Sequence, residues 1–97
     1  MRDKFVKFLE DYWHQDSDLL FNDIIDAVST FKRVHGDSEF EQLIIEIYQL
    51  FCNRQFDCDP NGVPLYESSV QGAIQRDVTR AEAEMILKKY HRFVPLQ

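Results

Sequence analysis

Residues 38–56, SEFEQLIIEIYQLFCNRQF, constrain the fold more than any other part of the chain. Phe40, Leu43, Ile44, Ile47, Leu50 and Phe51 recur at helical spacing and make one apolar stripe. Ile45, Tyr48 and Cys52 make a second stripe beside it. A helix apolar over so wide an arc needs several neighbours to cover it. The segment is therefore predicted to be the central helix, ending between Asn53 and Phe56. Ser38 and Glu41 have the spacing of a capping box at its start.

Three further segments supply neighbours. Residues 3–14 place Phe5, Phe8, Leu9 and Tyr12 on one face, with Val6 and Trp13 on a flank. Trp13 is expected in the core or at its edge. Residues 18–35 carry a stripe of Leu20, Ile24, Val28 and Phe31, widened by Phe21, Ile25 and Val34. Asp16, Ser17 and Asp18 offer caps for that helix, and Gly36 stops it. Thr79 and Glu82 form another capping box, opening a helix that runs to about Arg92. Its inward face is Ala83, Ile86, Leu87, Tyr90 and Phe93. Between the third and fourth helices the chain turns acidic and irregular. Asp59, Pro60, Asn61 and Gly62 fit a tight turn, and Pro64 opposes helix.

These segments predict an all-α protein: one domain over residues 1–97, a compact antiparallel four-helix bundle with an irregular acidic loop between helices 3 and 4. The chain has 44% apolar residues and 13% aromatic ones, enough material for a core and too much for disorder. The first residues, MRDKFVKFLEDYW, lack the continuous apolar run of a signal peptide or membrane span. Cys52 and Cys58 are the two cysteines and are expected as free thiols, Cys52 buried. The expected location is cytoplasmic.

Charge restricts the partners. The formal net charge is −6. Over residues 10–53 ten carboxylates face two cations, Lys32 and Arg33, whereas the sign reverses from Arg76 to Gln97, with five basic residues against three acidic. Nucleic-acid binding requires cationic surface to neutralise phosphate, so direct contact with DNA or RNA is disfavoured. A basic protein partner suits such a surface. The partner-binding candidates are Asp16, Asp18, Asp23, Asp26, Glu39 and Glu46 on the helices, with Asp57, Asp59 and Glu67 around the adjacent loop and Tyr66 as an apolar anchor.

Specific chemistry finds less support. Asp57, Asp59, Asn61 and Gly62 reproduce the first half of an EF-hand calcium loop. The second half fails, because Ser68 stands where a bidentate Glu belongs. A calcium-binding helical module using this loop is thus an alternative only. Cys52, Cys58, His14, His35 and His91 lack zinc-site spacing. The pairs Asp23 with Asp26 and Glu82 with Asp77 read as solvated carboxylates. Neither an enzyme nor a cofactor is expected.

The chain resembles the small immunity proteins that bacteria pair with toxic nucleases, above all the colicin D-type group. The likeness lies in size, acidity and helical layout. It includes a central helix ending in an aromatic–acidic turn, Phe56-Asp57-Cys58-Asp59-Pro60, and a final helix from Thr79 to Tyr90. The residues from Asn61 to Pro64 depart from that pattern. The resemblance implies an inhibitor that binds a basic toxin nuclease and sets carboxylates where substrate phosphates would lie. A phage-encoded inhibitor that mimics nucleic acid follows the same charge logic.

Overall fold

The computed structural model describes residues 3–13, 19–61, 65–66 and 78–93. Among them are four α-helices and no β-strand: α1 (Asp3–Tyr12), α2 (Ile24–His35), α3 (Asp37–Cys52) and α4 (Arg80–Lys89), followed by a 3-10 turn (His91–Phe93). The radius of gyration is 12.6 Å, against about 12.5 Å for a compact chain of this length.

α3 is the hub. It packs against α1, α2 and α4, while α2 also touches α1 and α4. Phe40, Leu43, Ile44, Ile47 and Leu50 are buried, as the first apolar stripe requires. The second stripe is covered less well. Ile45 and Tyr48 are half-buried, and Cys52 is exposed rather than buried. The neighbours cover a narrower arc than the sequence suggested.

Aromatic side chains tie the elements together at both ends of α1. Phe5 of α1, Phe56 after α3 and Tyr66 in the link meet edge to face, with centroids 5.4–5.9 Å apart. Phe8 and Tyr12 of α1 meet Phe31 of α2. Such pairs contribute about 0.5–1.5 kcal/mol each beyond the area they bury. Trp13 is buried directly after α1, as expected.

The helix ends differ from the sequence reading in two places. α2 begins at Ile24, not near residue 18, because Asp23 is the cap that forms: its Oδ1 accepts the Asp26 N–H at 2.9 Å. Leu20 is therefore outside the helix and 62% exposed, and Val34 is also exposed. α3 begins at Asp37 without a side-chain cap, so the Ser38 and Glu41 box does not form at its start. Gly36 alone joins the two helices. Its N–H donates to the Lys32 carbonyl at 2.9 Å, and its carbonyl accepts the Phe40 N–H at 3.1 Å. The joint needs φ +88° and ψ 170°, a region open to glycine.

The other ends follow local rules. α3 closes in a Schellman motif. The Gln55 N–H donates to the Leu50 carbonyl and the Arg54 N–H to the Phe51 carbonyl, at 2.9 and 3.1 Å. Arg54 holds the left-handed position, φ 61°, where glycine is usual. The reversal delivers Phe56 to the core. α4 opens on the Thr79 and Glu82 capping box, with both reciprocal hydrogen bonds present.

Candidate functional site

The predicted site residues separate into four groups. Asp16, Asp18 and Glu67 lie outside the described residues. Glu46 and Tyr66 are interior. Glu39, Asp57 and Asp59 are engaged locally. Asp23 and Asp26 sit together at the start of α2.

Glu46 was expected on the wet face, but it is 3% exposed. Its Oε1 accepts the Phe5 N–H at 2.9 Å, and Oε2 accepts from Gln42 Nε2 at 3.3 Å. Phe5 lies in the first turn of α1, where amide N–H groups have no partner within the helix. A carboxylate of α3 thus caps α1 and faces its positive end. The spacing held the signal, because Glu46 falls between Leu43 and Leu50 on the apolar stripe.

Tyr66 is 1% exposed and cannot serve as a surface anchor. Its hydroxyl accepts the N–H of buried Val78, which pins the residue before Thr79 to the start of the link. The Tyr66 N–H itself donates to the Gln55 carbonyl at 3.0 Å.

Glu39 lies 3.3 Å from Lys4 Nζ and 3.6 Å from His35 Nδ1. His35 Nε2 in turn lies 3.1 Å from the Tyr12 hydroxyl. This chain of contacts joins α1, α2 and α3. Burial and the nearby Asp11 carboxylate push the Tyr12 phenol above its ordinary value. Asp57 pairs with Arg54 at 3.0 Å, and Asp59 accepts the Asn61 N–H at 2.9 Å. A guanidinium therefore occupies one edge of the carboxylate that would open a calcium loop. Among the described residues no group of three His, Cys, Asp or Glu side chains could hold a metal ion. Cys52 and Cys58 are exposed free thiols.

The start of α2 is different. Asp23 is exposed, and Asp26 is half-buried and accepts the Asn22 N–H at 3.1 Å. Directly before them Leu19 is 83% exposed and Leu20 62%. Phe21 turns inward and meets the Tyr12 ring at 6.1 Å, which holds this corner against the end of α1. Two large apolar side chains thus stand in solvent, three to seven residues before the carboxylates in sequence. No protein-family profile, curated protein or solved structure matches the chain. The function must be read from this corner and the charge around it.

The sequence did not single out Leu19 or Leu20 as surface. Leu20 continues the spacing of Ile24, Val28 and Phe31, so it read as core. Only the choice of Asp23 as the cap turns it outward. Asp23 with Asp26 is also explained by that choice. The two share a cap, one carboxylate accepting the other residue's amide. Among the described residues, no helix is long and apolar enough to cross a membrane.

Proposed function

We propose that the chain is a protein-binding inhibitor, an immunity protein that neutralises a basic toxin nuclease by occupying its phosphate-binding surface. The observation that carries this reading is the exposed Leu19 and Leu20 pair shortly before Asp23 and Asp26 in sequence. Interfaces draw most of their affinity from a few desolvated anchors within a polar rim. Two leucines supply the anchor. Carboxylates supply the rim, and they suit the Lys and Arg side chains that hold phosphate in a nuclease.

In this reading the four helices are a compact antiparallel bundle that presents the α1–α2 corner as one rigid face. The acidic stretch between α3 and α4, with Asp57 and Asp59, is a second acidic edge. Glu10, Asp11 and Glu41 are exposed on α1 and α3 and extend the negative field that steers a cationic partner. Inhibition is steric and electrostatic. The chain acts in the cytoplasm and catalyses nothing.

The test is nuclease inhibition with purified chain against a panel of basic bacterial toxin nuclease domains at low ionic strength. We expect one of them to lose activity in proportion to added chain, reaching completion near equimolar ratio. Undiminished activity of every domain at a large excess of chain would contradict the proposal.

A further inference from the structure

Four of the eleven Lys and Arg side chains line one open groove of about 1020 Å³ between α2 and the end of α4. They are Lys32 and Arg33 on α2, and Lys89 and Arg92 on α4 and the turn after it. Elsewhere most described cations have a local partner. Lys4 meets Glu39, Arg54 meets Asp57, Lys88 meets Glu84, and Arg80 lies over the Phe51 ring. In the groove, Lys32 pairs with Asp37 at 3.2 Å, Lys89 lies over the Tyr90 ring at 5.8 Å, and Arg33 donates to the Thr30 hydroxyl at 3.5 Å. Among the described residues, no carboxylate lies within 4.0 Å of Arg33, Lys89 or Arg92.

Cations in the last turn of a helix answer the negative end of its macrodipole. That explains Lys32, Arg33 and Lys89 one at a time. It does not explain why two such ends open onto one groove, or why Arg92 adds to them from beyond α4. The groove is also lined by Tyr90, whose ring packs edge to face on Phe40 at 4.8 Å. Its other end is negative, because Asp23 and Asp26 line it too.

The charges along α2 therefore change sign within one groove. Asp26 and Arg33 are seven residues apart on the helix, which is about 10 Å. That distance matches about three residues of extended chain. A uniform polyanion, such as a nucleic acid, would meet the carboxylates at the negative end. A uniformly basic segment would meet the cations.

We infer that the groove docks a short peptide segment of mixed charge, with carboxylates on Arg33, Lys89 and Arg92 and a basic residue on Asp23 and Asp26. Asp23 and Asp26 are shared with the proposed nuclease face, whereas Arg33, Lys89 and Arg92 belong to the groove alone, so variants of those cations test this inference separately. Each exposed ion pair adds little, and several acting together amount to about tenfold in affinity.

Fluorescence anisotropy with dye-labelled hexapeptides at low salt tests it. One peptide has two glutamates, two serines and two lysines in that order, a second has the reverse order, and two controls are all glutamate or all lysine. We expect a mixed peptide to bind about tenfold more tightly than either control. We expect Arg33→Glu with Arg92→Glu to remove that preference, while Lys7→Glu, on α1 and not lining the groove, retains it. Circular dichroism shows whether each variant is folded, and Lys89→Glu serves in place of the double variant if that one is not. Equal binding of all four peptides, tighter binding of a single-stranded oligonucleotide, or an unchanged preference in the folded groove variants would overturn the inference.

Discussion

At the scale of single residues, two buried polar contacts carry weight out of proportion to their size. Glu46→Ala leaves the Phe5 N–H without its acceptor in the core, at a cost of about 1–3 kcal/mol. Tyr66→Phe does the same to the Val78 N–H, with a loss in the same range and no change in shape. Urea unfolding of each variant checks both, and a midpoint equal to wild type would contradict them. Titration gives an independent handle. The phenols of Tyr12 and Tyr90 are raised by burial, opposed at Tyr90 by Lys32. That of Tyr48 is raised by its hydrogen bond with Cys52 and by burial. A raised folded value means the native state holds the proton more tightly. The stability these groups contribute is complete below the unfolded value of 10.0 and is lost as pH rises through the folded values. We predict that the urea midpoint falls above pH 10, and falls less in Tyr90→Phe. A midpoint that is flat from neutral pH to pH 11 would contradict the assignment.

At the scale of elements, the two left-handed positions behave oppositely. Gly36 is the whole joint between α2 and α3, and a Cβ added there meets nothing within 4 Å. Gly36→Ala therefore costs backbone energy alone, about 1–3 kcal/mol. Arg54 already bears such a cost at the end of α3. Arg54→Gly relieves it and loses an exposed ion pair worth at most about 1 kcal/mol, so we predict equal or higher stability. Denaturant midpoints that move in the same direction for both variants would refute this pairing. Legibility in the sequence followed how local the signal was. The Thr79 and Glu82 box is complete within four residues, and α4 begins where it says. The start of α2 was misplaced because Asp16, Ser17 and Asp18 are good caps in sequence, whereas Asp23 is the one that caps the helix. Tertiary packing of Ile24, Ala27, Val28 and Phe31 favours Asp23, and nothing local in residues 16–23 states that. The Ser38 and Glu41 box was a local signal that a one-residue joint overrode.

At the scale of the whole molecule, the all-helical class and the central role of α3 were legible from periodicity alone. Periodicity survives any choice of helix ends. The candidate surface was less so. Charge counts cannot tell which carboxylates face outward, and they placed the interior Glu46 beside the exposed Asp23. Apolar pattern cannot tell a core leucine from an exposed one when a helix start moves from residue 18 to residue 24, as it did for Leu20. What emerges is a chain of net charge −6 with an apolar and acidic corner at residues 19–26 and a groove of mixed charge beside it. The central claim is that this corner holds a basic nuclease. Calorimetric titration of the inhibited nuclease domain with wild-type chain and with Leu19→Ala plus Leu20→Ala tests it most directly. Both side chains are exposed, so the variant should unfold at the wild-type urea midpoint. We predict a Kd raised about 30-fold, the loss of about 2 kcal/mol typical of an anchor. An unchanged Kd in the folded variant would contradict the claim.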